Sequence, residues 1–211
     1  MPVLEWLDYA GVAVFAATGA LAASRKQLDM IGFVFLAAVT GTGGGTFRDV
    51  VLGAAPVFWV AKPVYLLICA GVAVAVYFTA HLVESRYRLL VWLDAVGLSA
   101  YAVMGAAKGL AATGSPTVAI VTGMLTATFG GILRDVLTGE PSVLMRPEIY
   151  VTAALAGSAV FVGATLMGAP LVAASAIGVV TAFAVRGGAL RYGWAFTPYR
   201  SRPGRRPEDV M

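Results

Sequence analysis

Apolar residues fill the chain in long unbroken segments, from about Leu4 to Ala23, Met30 to Leu52, Val64 to Val83, Leu89 to Leu110, Thr117 to Leu137, Ile149 to Met167 and Pro170 to Val185. A hydrocarbon core about 30 Å thick takes roughly 20 apolar residues per helix, so the pattern predicts seven transmembrane helices. Strands of a membrane barrel would show alternating segments of about ten residues instead. The expected fold class is therefore an all-α integral membrane protein. Composition agrees, because 59% of the 211 residues are apolar and 12% are charged, against about 25% charged in an ordinary soluble domain. The helices leave no room for a separate soluble catalytic domain. The start lacks basic residues and its span carries Asp8, which does not fit a cleavable signal peptide.

The chain also matches itself. At an offset of 86 residues, Trp6-Leu7-Asp8 falls on Trp92-Leu93-Asp94, Gly11 on Gly97, Gly19 on Gly105, Thr40 and Thr42 on Thr126 and Thr128, and Gly44-Gly45 on Gly130-Gly131. Arg48-Asp49-Val50 then falls on Arg134-Asp135-Val136, and Gly53 on Gly139. Sixteen of the 50 positions from Leu4 to Gly53 are identical without a gap, and they include scarce Trp, Arg and Asp. Each unit holds three spans, an odd number, so the second copy is expected to enter the membrane in the opposite sense. The predicted organisation is a first three-helix repeat over 1–86, a second, inverted one over 87–168, a seventh helix over 169–187 and a basic, disordered tail over 188–211.

Inverted repeats suit transport, with broken helices of the two halves meeting near the midplane. The second span of each unit carries the candidate break, at Thr42-Gly43-Gly44-Gly45 and at Thr128-Phe129-Gly130-Gly131. Glycine weakens a helix by about 1 kcal/mol relative to alanine. Close packing without a break is the plainer use of such glycines. The run is not a phosphate loop, since it follows no strand and ends in no Lys-Ser/Thr pair.

Arg48, Asp49, Arg134 and Asp135 follow the glycines in both copies. A charge at the bilayer centre costs at least about 2.5 kcal/mol, so it normally faces a partner or an aqueous path. Helical neighbours point about 100° apart, which predicts cross-repeat pairs, Arg48 with Asp135 and Arg134 with Asp49. Asp8 and Asp94, beside Trp6 and Trp92, read as helix-dipole partners and depth anchors. The stripes Gly11, Phe15, Gly19 and Gly97, Tyr101, Gly105 are expected to pack against the broken helix. His81 reads as a solvated loop-end residue, and Cys69 as inert packing.

Arg25, Lys26, Arg86, Arg88, Arg146 and the six arginines from Arg186 onward fall on one side of the predicted membrane, and Lys62 and Lys108 on the other. Cytoplasmic loops hold the basic excess, so the N-terminus is expected outside and the C-terminus inside. Lys62 and Lys108 read as interfacial anchors. The net charge of +4 does not indicate nucleic acid, because the tail concentrates it; Arg200, Arg202, Arg205 and Arg206 suit anionic lipid instead. With one histidine and one cysteine, neither a nucleophile with its base nor a metal cluster can be assembled, so no enzyme and no cofactor are expected.

The two forms of a Gly-Gly-(x)2-Arg-Asp signature, Gly44 to Asp49 and Gly130 to Asp135, together with the three-plus-three-plus-one layout over residues 5–188, resemble the prokaryotic branch of the trimeric intracellular cation channel family. The resemblance implies a homotrimer with one hourglass pore per subunit, lined by the kinked second and fifth spans. It implies permeating potassium and sodium ions and a site in the prokaryotic plasma membrane. In such a pore Gly43, Gly44, Gly45, Gly130, Gly131, Thr42, Thr128 and Phe129 would lie at the kink, and Arg48, Asp49, Arg134 and Asp135 would supply gating charge. Phe129 stands where the first copy has Gly43, which breaks full symmetry at the constriction. The alternative is a secondary carrier for glycine or another small amino acid, in which half-helix amides and an arginine hold the carboxylate.

Overall fold

The protein, described here from a computed structural model covering residues 2–145, 149–197 and 204, is all-helical. Its helices are α1 (Pro2–Arg25), α2 (Met30–Val51), the short α3 (Phe58–Ala61), α4 (Val64–Thr79), α5 (Arg86–Thr113), α6 (Pro116–Leu137), α7 (Val151–Leu166) and α8 (Leu171–Tyr192). Six of the described helices are long and apolar enough to cross a membrane. The 16-residue α7 spans only about 24 Å at 1.5 Å per residue, less than a typical hydrocarbon core. Arg146 and the arginines from 200 to 206 lie outside the described residues.

Local chemistry sets the helix ends. Asp29, Ser85 and Ser115 cap α2, α5 and α6, each side-chain oxygen accepting an N–H from three residues on. Where the Arg-Asp motif ends α2 and α6, the two copies exit the same way. Leu52 and Thr138 donate to the carbonyls of Arg48 and Arg134 at 2.9 and 3.0 Å, and Ala54 and Glu140 to those of Asp49 and Asp135 at 2.8 and 2.9 Å. This exit needs a left-handed residue at Gly53 (φ 66°) and Gly139 (φ 63°), which accounts for that identity in the repeat.

Helix α1 packs on α2, α4 and α5, while α5 packs on α1, α6, α7 and α8; α2 and α6 lie against each other. The contacts come in pairs related by the 86-residue offset. A Cβ on Gly44 would strike the Thr126 carbonyl of α6, and one on Gly130 would meet the Thr40 carbonyl of α2 at 2.5 Å. Gly43 faces Leu133 while Phe47 stacks on Phe129 at 4.2 Å, so a small residue meets a large one in one copy and two rings meet in the other.

Three expectations change here. Helix α2 runs without interruption through Gly43, Gly44 and Gly45, and α6 through Gly130 and Gly131; the glycines are spent on backbone-to-backbone approach, which leaves the helical hydrogen bonds intact. The glycine stripes do not all face the second helix of their own unit. Gly19 and Gly105 do, against Leu36 and Thr126, whereas Gly11 lies under the Tyr101 ring and Gly97 under the Phe15 ring, across the α1–α5 contact. Finally, α8 continues to Tyr192 rather than ending at 187, and Arg186 within it is 1% exposed. It donates to the Ile149 carbonyl at 3.3 Å and lies 5.0 Å over the Tyr150 ring.

Candidate functional site

Two cavities lined in part by charged residues open at opposite ends of the molecule. One, of about 320 Å³, is lined by Glu5, Asp8, Phe58, Lys62, Tyr65 and Lys108. The other, about 20 Å³, is lined by residues that include Arg25, Asp94, Arg134, Asp135, Glu140 and Arg186. Glu5 and Arg25 bracket α1, so the cavities stand roughly 30 Å apart along that helix. Lys62 and Lys108 mark a lysine end; Arg25, Lys26, Arg86 and Arg88 mark an arginine end. The cavities are also related by the repeat, since Asp8 corresponds to Asp94, Glu5 to Val91 and Lys108 to Ala22, and each of these residues lines its cavity.

Beside each cavity lies a buried charge cluster; Arg134 and Asp135 line the arginine-end cavity, while Arg48 and Asp49 sit behind Phe58, which lines the other. Asp49 Oδ1 accepts from Arg48 Nε and Nη2 at 2.8 and 2.6 Å, while Oδ2 accepts from the Phe58 N–H at 2.9 Å. Asp135 repeats this with Arg134 Nε and Nη2 at 3.0 and 2.9 Å and the Val143 N–H at 3.0 Å. Each aspartate thus ties the segment leaving its helix back to the arginine. The expected cross-repeat pairs, Arg48 with Asp135 and Arg134 with Asp49, do not form. In the last turn of a helix the arginine side chain is long enough to fold back onto the next residue, and the arginines lie at opposite ends of the molecule. Nor do they reach for the headgroups, being 1% and 2% exposed.

Asp8 and Asp94 are 4% and 2% exposed and act as ion-pair partners rather than interfacial anchors. Arg134 Nη1 donates to Asp94 Oδ1 at 2.7 Å. In the other copy Asp8 Oδ2 accepts from Tyr65 Oη at 2.9 Å and from Lys108 Nζ at 3.4 Å, and Arg48 Nη1 makes no hydrogen bond among the described residues. Lysine at 108 thus takes the place at Asp8 that an arginine holds at Asp94. Asp8 Oδ1 and Asp94 Oδ2 also lack hydrogen-bond partners among the described residues. Sequence reasoning missed Tyr65 and Tyr150, each placed against one of these clusters, and read Lys108 only as an anchor. At the rim, Lys62 pairs with Glu5, whose hydrogen bond and charge hold the Lys62 ammonium above its usual range.

The glycine-motif residues divide between two faces. Gly45 backs onto the Phe58 ring, and a Cβ on Gly131 would meet Tyr150 Oη at 2.8 Å, so both face the charge clusters. Thr42, Gly43 and Phe129 line a third, mainly apolar groove of about 350 Å³ with Phe47, Val50 and Leu133. The Thr128 hydroxyl is satisfied by the Met124 carbonyl at 2.9 Å. Among the described residues no group of His, Cys, Asp or Glu is arranged to hold a metal ion.

A bundle of apolar helices with two opposed cavities, each lined by a buried aspartate, defines a polytopic membrane protein. A family model described as "Glycine transporter" matches residues 5–81 and 91–165, stretches whose starts lie 86 residues apart. The UPF0126 inner membrane protein YadS of Escherichia coli K12 is 40% identical over 195 residues, covering 90% of this chain and 93% of that protein. The solved trimeric intracellular cation channel orthologue from Rhodobacter sphaeroides is 54% identical and superposes with a TM-score of 0.90 over 92% of this chain and all of that one. A second prokaryotic channel of this kind, crystallised in 0.5 M KCl, is 28% identical, with a TM-score of 0.85 over 90% and 97% of the two chains. The chain belongs to the prokaryotic trimeric intracellular cation channel family.

Proposed function

We propose that the chain conducts monovalent cations, potassium chief among them, along one path in each subunit of a homotrimer in a prokaryotic plasma membrane. The observation that carries this reading is the pair of opposed cavities, each lined by a buried aspartate, Asp8 or Asp94, with one carboxylate oxygen unpartnered among the described residues. Carboxylates at a pore mouth concentrate cations and exclude anions. The relatives named as cation channels support the same reading, and it describes a channel rather than an enzyme.

In this proposal the two halves, 1–86 and 87–168, are inverted repeats, supported by the paired contacts across α1–α5 and α2–α6. Their glycine-bearing helices wall the path. Arg48 with Asp49 and Arg134 with Asp135 set the charge at its two ends, and movement of either arginine changes the open probability. The arginine end faces the cytoplasm, where the tail meets anionic lipid.

A carrier for glycine or a similar amino acid is the second reading, favoured by the description of the matching family model. Its weakness is chemical. Arg134 already holds two carboxylates, and Arg48 offers only Nη1 for a substrate carboxylate. Liposomes of the purified trimer decide the matter, with potassium flux and labelled glycine uptake followed in parallel. Fast, non-saturating, electrogenic potassium flux without glycine uptake is expected. Saturable glycine uptake with little potassium leak would replace the channel by the carrier.

A further inference from the structure

We propose that the narrowest point of the path is the aromatic pair Phe15 and Tyr101, held between α1 and α5, and that the hydroxyl of Tyr101 latches it shut. The inference rests on the conduction reading above and adds to it the residues that set the size of what passes. Its first ground is position. On α1, Asp8 lines the cavity at the lysine end and Ala22 the one at the arginine end; on α5, Asp94 and Lys108 do the same in reverse. Phe15 is seven residues from both Asp8 and Ala22, and Tyr101 seven from both Asp94 and Lys108, about 10 Å each way. The pair therefore stands midway between the cavities.

Its second ground is packing. The ring centroids are 5.2 Å apart, and the side chains are 0% and 1% exposed. Two aromatic rings in contact leave no aqueous gap, and an apolar constriction of this kind closes a pore by dewetting. Each ring is seated on a glycine of the opposite helix, Tyr101 on Gly11 and Phe15 on Gly97. A side chain at Gly11 would force the Tyr101 ring to move, and one at Gly97 would press on the Phe15 ring at 3.1 Å, so both glycines make room for the pair.

Its third ground is the difference between the two rings. Tyr101 Oη donates to the Gly41 carbonyl of α2 at 3.3 Å, while Phe15 has no hydroxyl to anchor. One ring is tied to the glycine-bearing helix and the other is held by contact alone. Movement of α2 thus pulls on the closed pair through Tyr101. When the rings part, their faces flank the path, where a passing cation meets the negative face of the π system.

Single-channel recording from planar bilayers tests this with four variants. Phe15→Ala and Tyr101→Ala enlarge the constriction, so unitary conductance should rise and N-methyl-D-glucamine should carry current in them but not in the wild type. Tyr101→Phe keeps the ring and removes the latch; it should raise open probability at unchanged unitary conductance, a split that a loss of packing would not produce. It also removes only one oxygen, so it remains informative if the alanine variants fail to assemble. Phe78→Ala, on the exposed face of α4, should behave as wild type. Unchanged conductance and size cut-off in the alanine variants, or unchanged open probability in Tyr101→Phe, overturns the assignment. Absence of any cation current through the wild type overturns the conduction reading, and the constriction with it.

Discussion

Arg134 holds two buried carboxylates at once, Asp94 at 2.7 Å and Asp135 at 2.9 Å, whereas Arg48 holds Asp49 alone. Removing one partner of a buried pair strands the other and costs about 3–5 kcal/mol. Arg134→Ala is therefore expected to lose that much stability, and Arg48→Ala less, read as the fall in thermal midpoint of the detergent-solubilised protein. Equal falls would mean that Asp94 does not depend on Arg134. These clusters were half legible in the sequence. The repeat picked out all six charged residues, Asp8 and Asp94 included, but a helical-wheel argument assigned their partners wrongly. It treated side chains as short spokes, while an arginine in a final turn bends back by its own length. Tyr65 and Tyr150 carried no signal, because the repeat places Tyr65 opposite Val151 rather than Tyr150.

Among the helices, glycines of equal chemical meaning serve opposite ends. Gly44 and Gly130 lie where α2 and α6 touch backbone to backbone, so a methyl at either has no space. Gly71 in α4 has nothing within 4 Å of an added Cβ. Gly44→Ala and Gly130→Ala should each lower the thermal midpoint by forcing the helices apart, while Gly71→Ala should raise stability by up to about 1 kcal/mol through helix propensity. A loss at Gly71 matching that at Gly44 would refute the packing account. Element identity was readable from hydropathy alone, since spans declare themselves by length. The break was misread because a glycine run signals permission to bend and permission to approach with the same letters. Only the neighbouring helix decides which is used, here the carbonyls of Thr40 and Thr126. The end of α8 was misplaced for a related reason. In the sequence Arg186 is one of six arginines gathered toward the C-terminus, and nothing there shows that Ile149 and Tyr150 receive it inside the fold.

At the level of the whole molecule, basic residues sort by end: Arg25, Lys26, Arg86 and Arg88 at one, Lys62 and Lys108 at the other. The proposed orientation, which follows the positive-inside rule, puts the arginine end in the cytoplasm. In a Cys69→Ala background, a cysteine placed at Ala54 should react with an impermeant maleimide added to intact cells, and one at Gln27 should not. The reverse pattern would invert the proposed orientation. The paired contacts Gly11 with Tyr101 and Gly97 with Phe15 have an older meaning too. They are the contacts that two separate copies of one three-helix unit would make if inserted in opposite senses, and such an assembly presents the same chemistry to both sides of a membrane. Joining the copies in one chain removes that constraint, since each position can then drift apart from its twin. Lysine at 108 against alanine at 22, and glutamate at 5 against valine at 91, are differences of this kind, and in the proposed arrangement they make the two ends of the molecule chemically unequal.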